Sequence, residues 1–288
     1  MSTLRPTRVV ALLNQKGGVG KTTTTVNLGA AIAEAGRRTL LVDLDPQGHL
    51  TLHLGIEPAA PDRPRPTMYE LLVDPAATAE SAIVNAGDHL DVIPSTVDLA
   101  AAETELAGDP ARNGILARKL APLLPQYEFI LFDCPPSLGL LTINALCAAR
   151  EVVVPMQAHF LALQGVGKLL ETVGLVAGQV NRALKVTGIV LCMHEASVSH
   201  QREVVADLDE FFARARGTDA PWSACRVLRP PIRRNIKLAE APSYGKTIFA
   251  YAPKCPGAED YRALAQRVVA EWDAMLERRA ARDGAGVA

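Results

Sequence analysis

Short apolar runs alternate with helical patterns along most of the chain. Apolar runs with the length of buried strands lie at Val9–Leu13, Thr39–Val42, Leu90–Ile93, Phe129–Phe132, Glu151–Pro155 and Val186–Leu191. Helical patterns lie between or after them, near Thr22–Ala35, Asp98–Leu106, Ile115–Leu123, Leu138–Ala148, Leu163–Ala183 and Glu203–Ala215. This alternation predicts right-handed βαβ units. We therefore predict an α/β fold: one doubly wound, mostly parallel sheet with helices on both faces and a ligand site at the carboxyl ends of its strands.

The strongest chemical signal directly follows the first predicted strand. It is the stretch Lys16-Gly17-Gly18-Val19-Gly20-Lys21-Thr22-Thr23, in which glycines allow backbone N–H groups to converge on phosphate oxygens at a helix N-terminus. Lys21 can reach the β- and γ-phosphates, and the Thr22 hydroxyl can ligate Mg²⁺. The standard phosphate loop has a glycine where this chain has Gln15. That departure and the extra Lys16 indicate the deviant branch of such loops.

Aspartates end the second and fourth of these strands. Asp43 and Asp45 alternate with Leu44, so both can project from the sheet end toward the phosphates. One of the two carboxylates could position an attacking water, and the other could support the metal shell. Asp133 ends an apolar strand, as a Walker B aspartate does when it holds Mg²⁺ directly or through water. We predict Thr22, Asp43 and Asp133 as the metal site, with turn or capping aspartates as the alternative.

The domain limits follow from the same pattern. We expect residues 1–7 to be a short N-terminal extension, residues 8–280 to form one domain around the phosphate loop, and residues 281–288 to be a flexible tail. Within the domain, Pro58–Pro66 has four prolines and is typical of a surface loop. Gly257–Arg279 is predicted as the terminal helix.

Composition narrows the choice of partners and compartment. The chain has 288 residues, 49% of them hydrophobic, and a net charge of −1, so any nucleic-acid site must be a local patch. Its five cysteines are scattered with no Cys-x-x-Cys pair, and no signal peptide is evident, which favours buried thiols in the cytoplasm. No apolar run approaches the roughly 18 residues of a membrane span, and we expect no stable membrane insertion.

Four motifs together resemble one family. Asn14–Thr25, Asp43–Gly48, Asp133–Ser137 and Ala239–Lys246 look like the ParA/MinD family of deviant Walker A ATPases, and are most similar to short chromosomal partition ATPases of the ParA (Soj) type. The resemblance implies an ATP- and Mg²⁺-dependent sandwich homodimer with two nucleotides at its interface. It also implies slow ATP hydrolysis, stimulated by a centromere-binding or cargo-adaptor protein.

The resemblance assigns roles to individual residues. Lys16 matches the signature lysine that reaches the partner subunit's phosphates, and Asp45 matches the residue that orients the hydrolytic water. With Lys21, these two form the predicted catalytic set. Nucleotide contacts are expected from Lys16 to Thr23, and from Asn235 in the run Ile232-Arg233-Arg234-Asn235.

The resemblance also implies DNA binding without sequence preference, and one basic segment of this chain is a candidate for it. Arg226, Arg229, Arg233, Arg234 and Lys237 lie within twelve residues that contain no acid. We predict that Arg229, Arg233, Arg234 and Lys237 contact DNA phosphates; an ordinary solvated surface is the alternative. The chain departs from the family at Ser197, where an arginine associated with DNA binding is usual, and at His159, where many relatives have an acid.

The implied cargo is a chromosome, a plasmid or a protein cluster, handled by a cytoplasmic, nucleoid-associated protein. Two alternatives use the same fold. A MinD-like membrane regulator of division needs a basic amphipathic C-terminal helix, whereas Glu271–Arg279 mixes acids and bases. An iron–sulfur reductase or cluster carrier needs cysteines at the dimer axis, and the scatter of the five cysteines argues against it.

Overall fold

The computed structural model describes residues 6–57, 65–159 and 162–285. The predicted N-terminal extension and the loop at Pro58–Pro66 lie largely outside these ranges, as do residues 286–288 of the predicted tail. Within the described ranges, no helix is both long enough and apolar enough to cross a bilayer.

The centre of the molecule is an eight-stranded sheet with the order β3-β4-β2-β5-β1-β6-β7-β8. Its strands are β1 Arg8–Leu12, β2 Thr39–Asp43, β3 Val84–Gly87, β4 Leu90–Ile93, β5 Phe129–Asp133, β6 Glu151–Met156, β7 Lys185–Leu191 and β8 Arg226–Leu228. All neighbours pair in parallel except β3 and β4, which are antiparallel. The predicted mostly parallel α/β sheet is therefore confirmed.

All six predicted strands are present, and the two that the sequence did not reveal are edge strands. In β3 half-buried residues alternate with exposed ones, and β8 has three residues, of which one is buried. These two edge strands need no continuous apolar run because their faces are partly exposed to solvent.

Helices cover both faces of the sheet. They are α1 Lys21–Glu34, α2 His49–His53, α3 Met68–Val73, α4 Leu99–Glu105, α5 Ile115–Leu120, α6 Leu140–Ala148, α7 Ala162–Gln179, α8 Ser199–Ala215, α9 Ile236–Glu240, α10 Ile248–Tyr251 and α11 Pro256–Ala285. The terminal helix was expected to end at Arg279 and instead continues to Ala285. Alanine and arginine, which dominate this extension, are strong helix formers.

Two hydrophobic clusters pack on opposite faces of the sheet. Val9 and Ala11 of β1 belong to one cluster, and Val10 and Leu12 to the other, because successive side chains of a strand point to opposite faces. The three central strands end together: Leu12 and Asp43 are both Cα partners of Asp133. This register places the phosphate loop after β1 beside the aspartates that end β2 and β5.

Candidate nucleotide-binding site

The phosphate loop joins the end of β1 to the start of α1 at Lys21. Gly18 has a φ of 71° and Gly20 a φ of 94°, a left-handed region that strongly favours glycine. A Cβ atom added at Gly17 or Gly18 would meet nothing within 4 Å. The loop therefore has open space above it, beside the N-terminus of α1, as an anion site requires.

The two lysines of the loop lie in different environments. Lys21 is buried, and its Nζ donates to the carbonyl oxygen of Lys16 at 3.4 Å. Burial lowers the pKa of Lys21, while the charges of Asp133 and Asp45 oppose the shift. Lys16 is exposed; its backbone N–H donates to Asn14 Oδ1 at 3.0 Å. Lys21 therefore belongs to the interior of the site and Lys16 to its rim.

Asp133 is buried at the end of β5 and binds two threonines of α1. Thr22 Oγ1 donates to Asp133 Oδ2 at 2.7 Å, and Thr25 Oγ1 donates to Oδ1 at 3.0 Å. Burial raises the pKa of Asp133, and these hydrogen bonds and Lys21 oppose the rise. The structure thus brings the predicted metal residues Thr22 and Asp133 into direct contact.

This pair fits a magnesium site of the phosphate-loop kind. Mg²⁺ prefers oxygen ligands, and in such sites it takes one or two from the protein and the others from water and phosphate. Among the described residues, no group of three or more His, Cys, Asp or Glu side chains could hold a metal ion. The Thr22 hydroxyl and the Asp133 carboxylate are the protein oxygens suited to hold Mg²⁺ against bound phosphates.

The carboxylates of Asp43 and Asp45 have different hydrogen-bond partners. Asp43 is fully buried and accepts hydrogen bonds from the backbone N–H groups of Asp45 and Thr51 and from Thr51 Oγ1. Asp45 lies further along the same turn, where its Oδ1 accepts from the backbone N–H of Gln47 at 3.0 Å. Both Asp43 oxygens therefore bind the turn that follows β2, while Asp43 stands beside Asp133 in the sheet, and its role as a metal residue stays a prediction.

A cleft of about 370 Å³ opens beside the loop and is suited to a nucleoside. Its lining includes Gly20, Thr23, Met193, Asn235 and Ile236. Asn235 is the N-cap of α9, and its Oδ1 accepts from the backbone N–H of Lys237 at 2.9 Å. The predicted nucleotide contacts Gly20, Thr23 and Asn235 thus share one cleft, next to Lys21.

The comparisons with known proteins agree with this geometry. The family model described as an AAA domain matches residues 7–186. Over 263 residues the chain is 44% identical to the sporulation initiation inhibitor protein Soj of Bacillus subtilis (strain 168), covering 91% of this chain and 98% of that protein. Over 262 residues it is 40% identical to the chromosome partitioning protein ParA of Myxococcus xanthus (strain DK1622), covering 91% and 88%. The chain belongs to the ParA/MinD family.

A solved structure extends the agreement to the ligands. Cobyrinic acid a,c-diamide synthase from Mycobacterium smegmatis, with bound ADP and magnesium, has a TM-score of 0.77 and 37% identity, covering 93% of this chain and 96% of that chain. This ParA/MinD-family chain is an ATPase, and its cofactors are ATP and Mg²⁺.

The predicted DNA contacts of this family member are each paired with an acid in the fold. Arg229 binds Asp209 at 3.1 Å, and Arg234 binds Glu195 at 3.1 Å. Lys237 binds Glu240 at 2.8 Å. Arg233 uses its backbone N–H and its guanidinium to bind the buried Asp260, and it also binds Glu259. The segment has no acid in its own sequence, yet tertiary contacts neutralise much of its charge.

Two residues near the loop were missed by the sequence reasoning. Gln157 Nε2 donates to the carbonyl oxygen of Gly18 at 3.0 Å and contacts Met193 Sδ at 3.0 Å. Its Oε1 lies 2.5 Å from Nε2 of His159, the residue that replaces a family acid. Met193 is held at a φ of 51°. A polar residue directly after the central strand β6 was the available signal for Gln157.

Proposed function

We propose that this protein is a ParA-type switch that segregates or positions a chromosome, plasmid or protein cargo. It forms an ATP-dependent sandwich homodimer and binds double-stranded DNA without sequence preference. Its hydrolysis is slow and is stimulated by a centromere-binding or cargo-adaptor protein. It acts in the cytoplasm, in association with the nucleoid. The relatives named for chromosome partitioning support the cargo role.

The contrast between Lys16 and Lys21 is the observation that carries this proposal. A buried ammonium that has lost much of its solvation gains most from an anionic ligand, so Lys21 is suited to the phosphates of its own subunit. The exposed Lys16 has its backbone fixed by Asn14 and Lys21 while its side chain extends to solvent. A cation on the rim of one site is suited to complete the site of a facing subunit.

Hydrolysis is assigned to groups around the same loop. Lys21 and Lys16 neutralise charge that develops on the γ-phosphate, and Asp45 orients the attacking water. Thr22 and Asp133 would hold Mg²⁺, which when bound supplies further positive charge against the phosphates. Backbone N–H groups from Gly17 to Thr23 support the phosphates, and the space beside Gly17 and Gly18 is open.

ATP favours the dimer in this scheme because each γ-phosphate is contacted from both subunits. Exposed apolar side chains beside the cleft support a partner on this face. Ile236 is 70% exposed and Met193 40% exposed, and both line the nucleoside cleft. Burying them against a second copy removes apolar surface from water.

DNA binding is assigned to Arg229, Arg233, Arg234 and Lys237. Arg234 is the best placed of them, because 74% of its side chain is exposed and its partner Glu195 is itself 40% exposed. Arg233 is more firmly held by the buried Asp260. One subunit offers few phosphate contacts, and a dimer doubles them on one duplex, so DNA affinity is coupled to ATP.

The test is the Lys16→Ala variant, examined by light scattering with and without ATP. It should bind ATP as a monomer and lose the ATP-dependent dimer, and with it the retention of DNA. Lys168→Ala, which removes an exposed lysine of α7, is the matched control and should dimerise normally. A dimer of the unmodified protein that forms equally well without ATP would contradict the proposal.

A further inference from the structure

The Asp43 carboxylate uses both of its oxygens inside the protein, although it stands at the phosphate end of β2. Oδ1 accepts from the backbone N–H of Asp45 at 3.2 Å. Oδ2 accepts from the backbone N–H of Thr51 at 3.0 Å and from its Oγ1 at 2.7 Å. A carboxylate has about four lone-pair positions, so three donors occupy most of its capacity.

These hydrogen bonds continue to the segment that follows β4. Thr51 Oγ1 accepts from the backbone N–H of Ser95, which follows β4, at 3.0 Å. At Gly48, with a φ of 61°, an added Cβ would come within 3.2 Å of the Ser95 carbonyl oxygen. The turn from Asp43 to Thr51 is thus held between the end of β2, the helix α2 and the segment after β4.

We propose that Asp43 is a positioning residue for ATP hydrolysis, and that it is not a ligand of Mg²⁺. It fixes the backbone N–H of Asp45 on one side and the start of α2 on the other, and so sets where the Asp45 carboxylate stands. This inference rests on the proposed role of Asp45 in orienting the water.

Direct binding of Mg²⁺ by Asp43 conflicts with the hydrogen bonds that its carboxylate accepts. To approach a metal ion, its Oδ2 would have to release Thr51, whose backbone N–H is buried and would lose its partner. The pair formed by Thr22 and Asp133 already presents the oxygens that a phosphate-loop magnesium site takes from the protein. Asp43 therefore acts on the water-orienting turn through Thr51.

Two variants test the inference from opposite ends of the same hydrogen bond. Asp43→Asn keeps the shape of the side chain, but its amide nitrogen accepts no hydrogen bond. Thr51→Val removes the Oγ1 donor and leaves the Asp43 carboxyl group in place. Misplacing a reacting group by about 1 Å costs up to about 100-fold in rate, so we expect both variants to lower kcat by about tenfold or more. Their KM for ATP and the Mg²⁺ concentration for half-maximal activity should change less than about twofold.

Two further readouts separate positioning from metal binding. Equilibrium binding of a fluorescent ATP analogue, titrated with Mg²⁺, should give the same affinity and Mg²⁺ dependence in both variants as in the unmodified protein. Amide hydrogen exchange over α2 should become faster in both. A raised Mg²⁺ requirement in Asp43→Asn, with Thr51→Val unchanged in kcat, would overturn the inference and restore Asp43 as a metal ligand.

Thr39→Val is the matched control. Thr39 is equally buried at the opposite end of β2, where its Oγ1 donates to the carbonyl oxygen of Arg37, and its loss should leave kcat unchanged. Asp45→Ala separates this inference from the proposed function. If Asp45→Ala hydrolyses ATP normally, the role of Asp45 fails. If it is inactive while Asp43→Asn and Thr51→Val are both normal, only the positioning role fails.

Discussion

The ion pair between Arg234 and Glu195 makes a direct prediction about DNA affinity. The two side chains meet at 3.1 Å, so under the proposed DNA role of Arg234 a phosphate has to compete with the Glu195 carboxylate for the same guanidinium. Glu195→Gln removes the competing charge and keeps the size of the side chain. We expect this variant to bind DNA more tightly than the unmodified protein.

The size of the effect follows from the exposure of the pair. With 74% of the Arg234 side chain and 40% of the Glu195 side chain exposed, the pair is of the solvent-screened kind, which contributes about 0.2–1 kcal/mol. A dimer contains two copies, so the gain in DNA binding is about 0.4–2 kcal/mol. This corresponds to a Kd lowered by about 2- to 30-fold.

Fluorescence anisotropy of a labelled duplex, with ATP and Mg²⁺ at one moderate salt concentration, measures this change. Glu210→Gln is the matched control, since it removes the same charge from another exposed ion pair, with Arg214 on α8. The reasoning fails if the Glu195 and Glu210 variants bind DNA equally well. Equal affinities would mean that Arg234 does not contact the phosphates, or that Glu195 does not restrain it.

Three further predictions concern the chemistry, the DNA and the loop. Asp45→Ala should keep ATP-dependent dimerisation by light scattering and lose phosphate release. Arg234→Ala combined with Lys237→Ala removes four charges per dimer; the negative slope of log K for DNA against log salt should therefore become shallower by about 3.6, with dimerisation unchanged. Gly20→Ala should lower thermal stability more than Gly36→Ala. Both glycines have left-handed φ values, but only at position 20 would the new methyl group meet another side chain, that of Cys192 at 3.3 Å.

Local sequence determined the central fold and the phosphate site. Each central strand is buried on both faces, so it needs an apolar run that can be read without its neighbours. The phosphate loop is also local: its glycines, Lys21 and Thr22 follow one strand and begin one helix. Asp133 could be predicted as part of the same site because parallel strands end at the same edge of the sheet. The structure places its carboxylate 2.7 Å from the Thr22 hydroxyl.

Tertiary structure decided what depends on contacts between distant segments. Arg234 and Glu195 are 39 positions apart, and Arg233 and Asp260 are 27 apart, so the neutralised charge of the basic segment could not be read from its sequence. Period-two alternation suggested that Asp43 and Asp45 point the same way. It did not reveal that the turn leading to Thr51 folds back and donates hydrogen bonds to the Asp43 carboxylate. Pattern along the chain fixes which way a strand residue faces, whereas the partner of a charged side chain depends on which segments the fold brings within hydrogen-bonding distance.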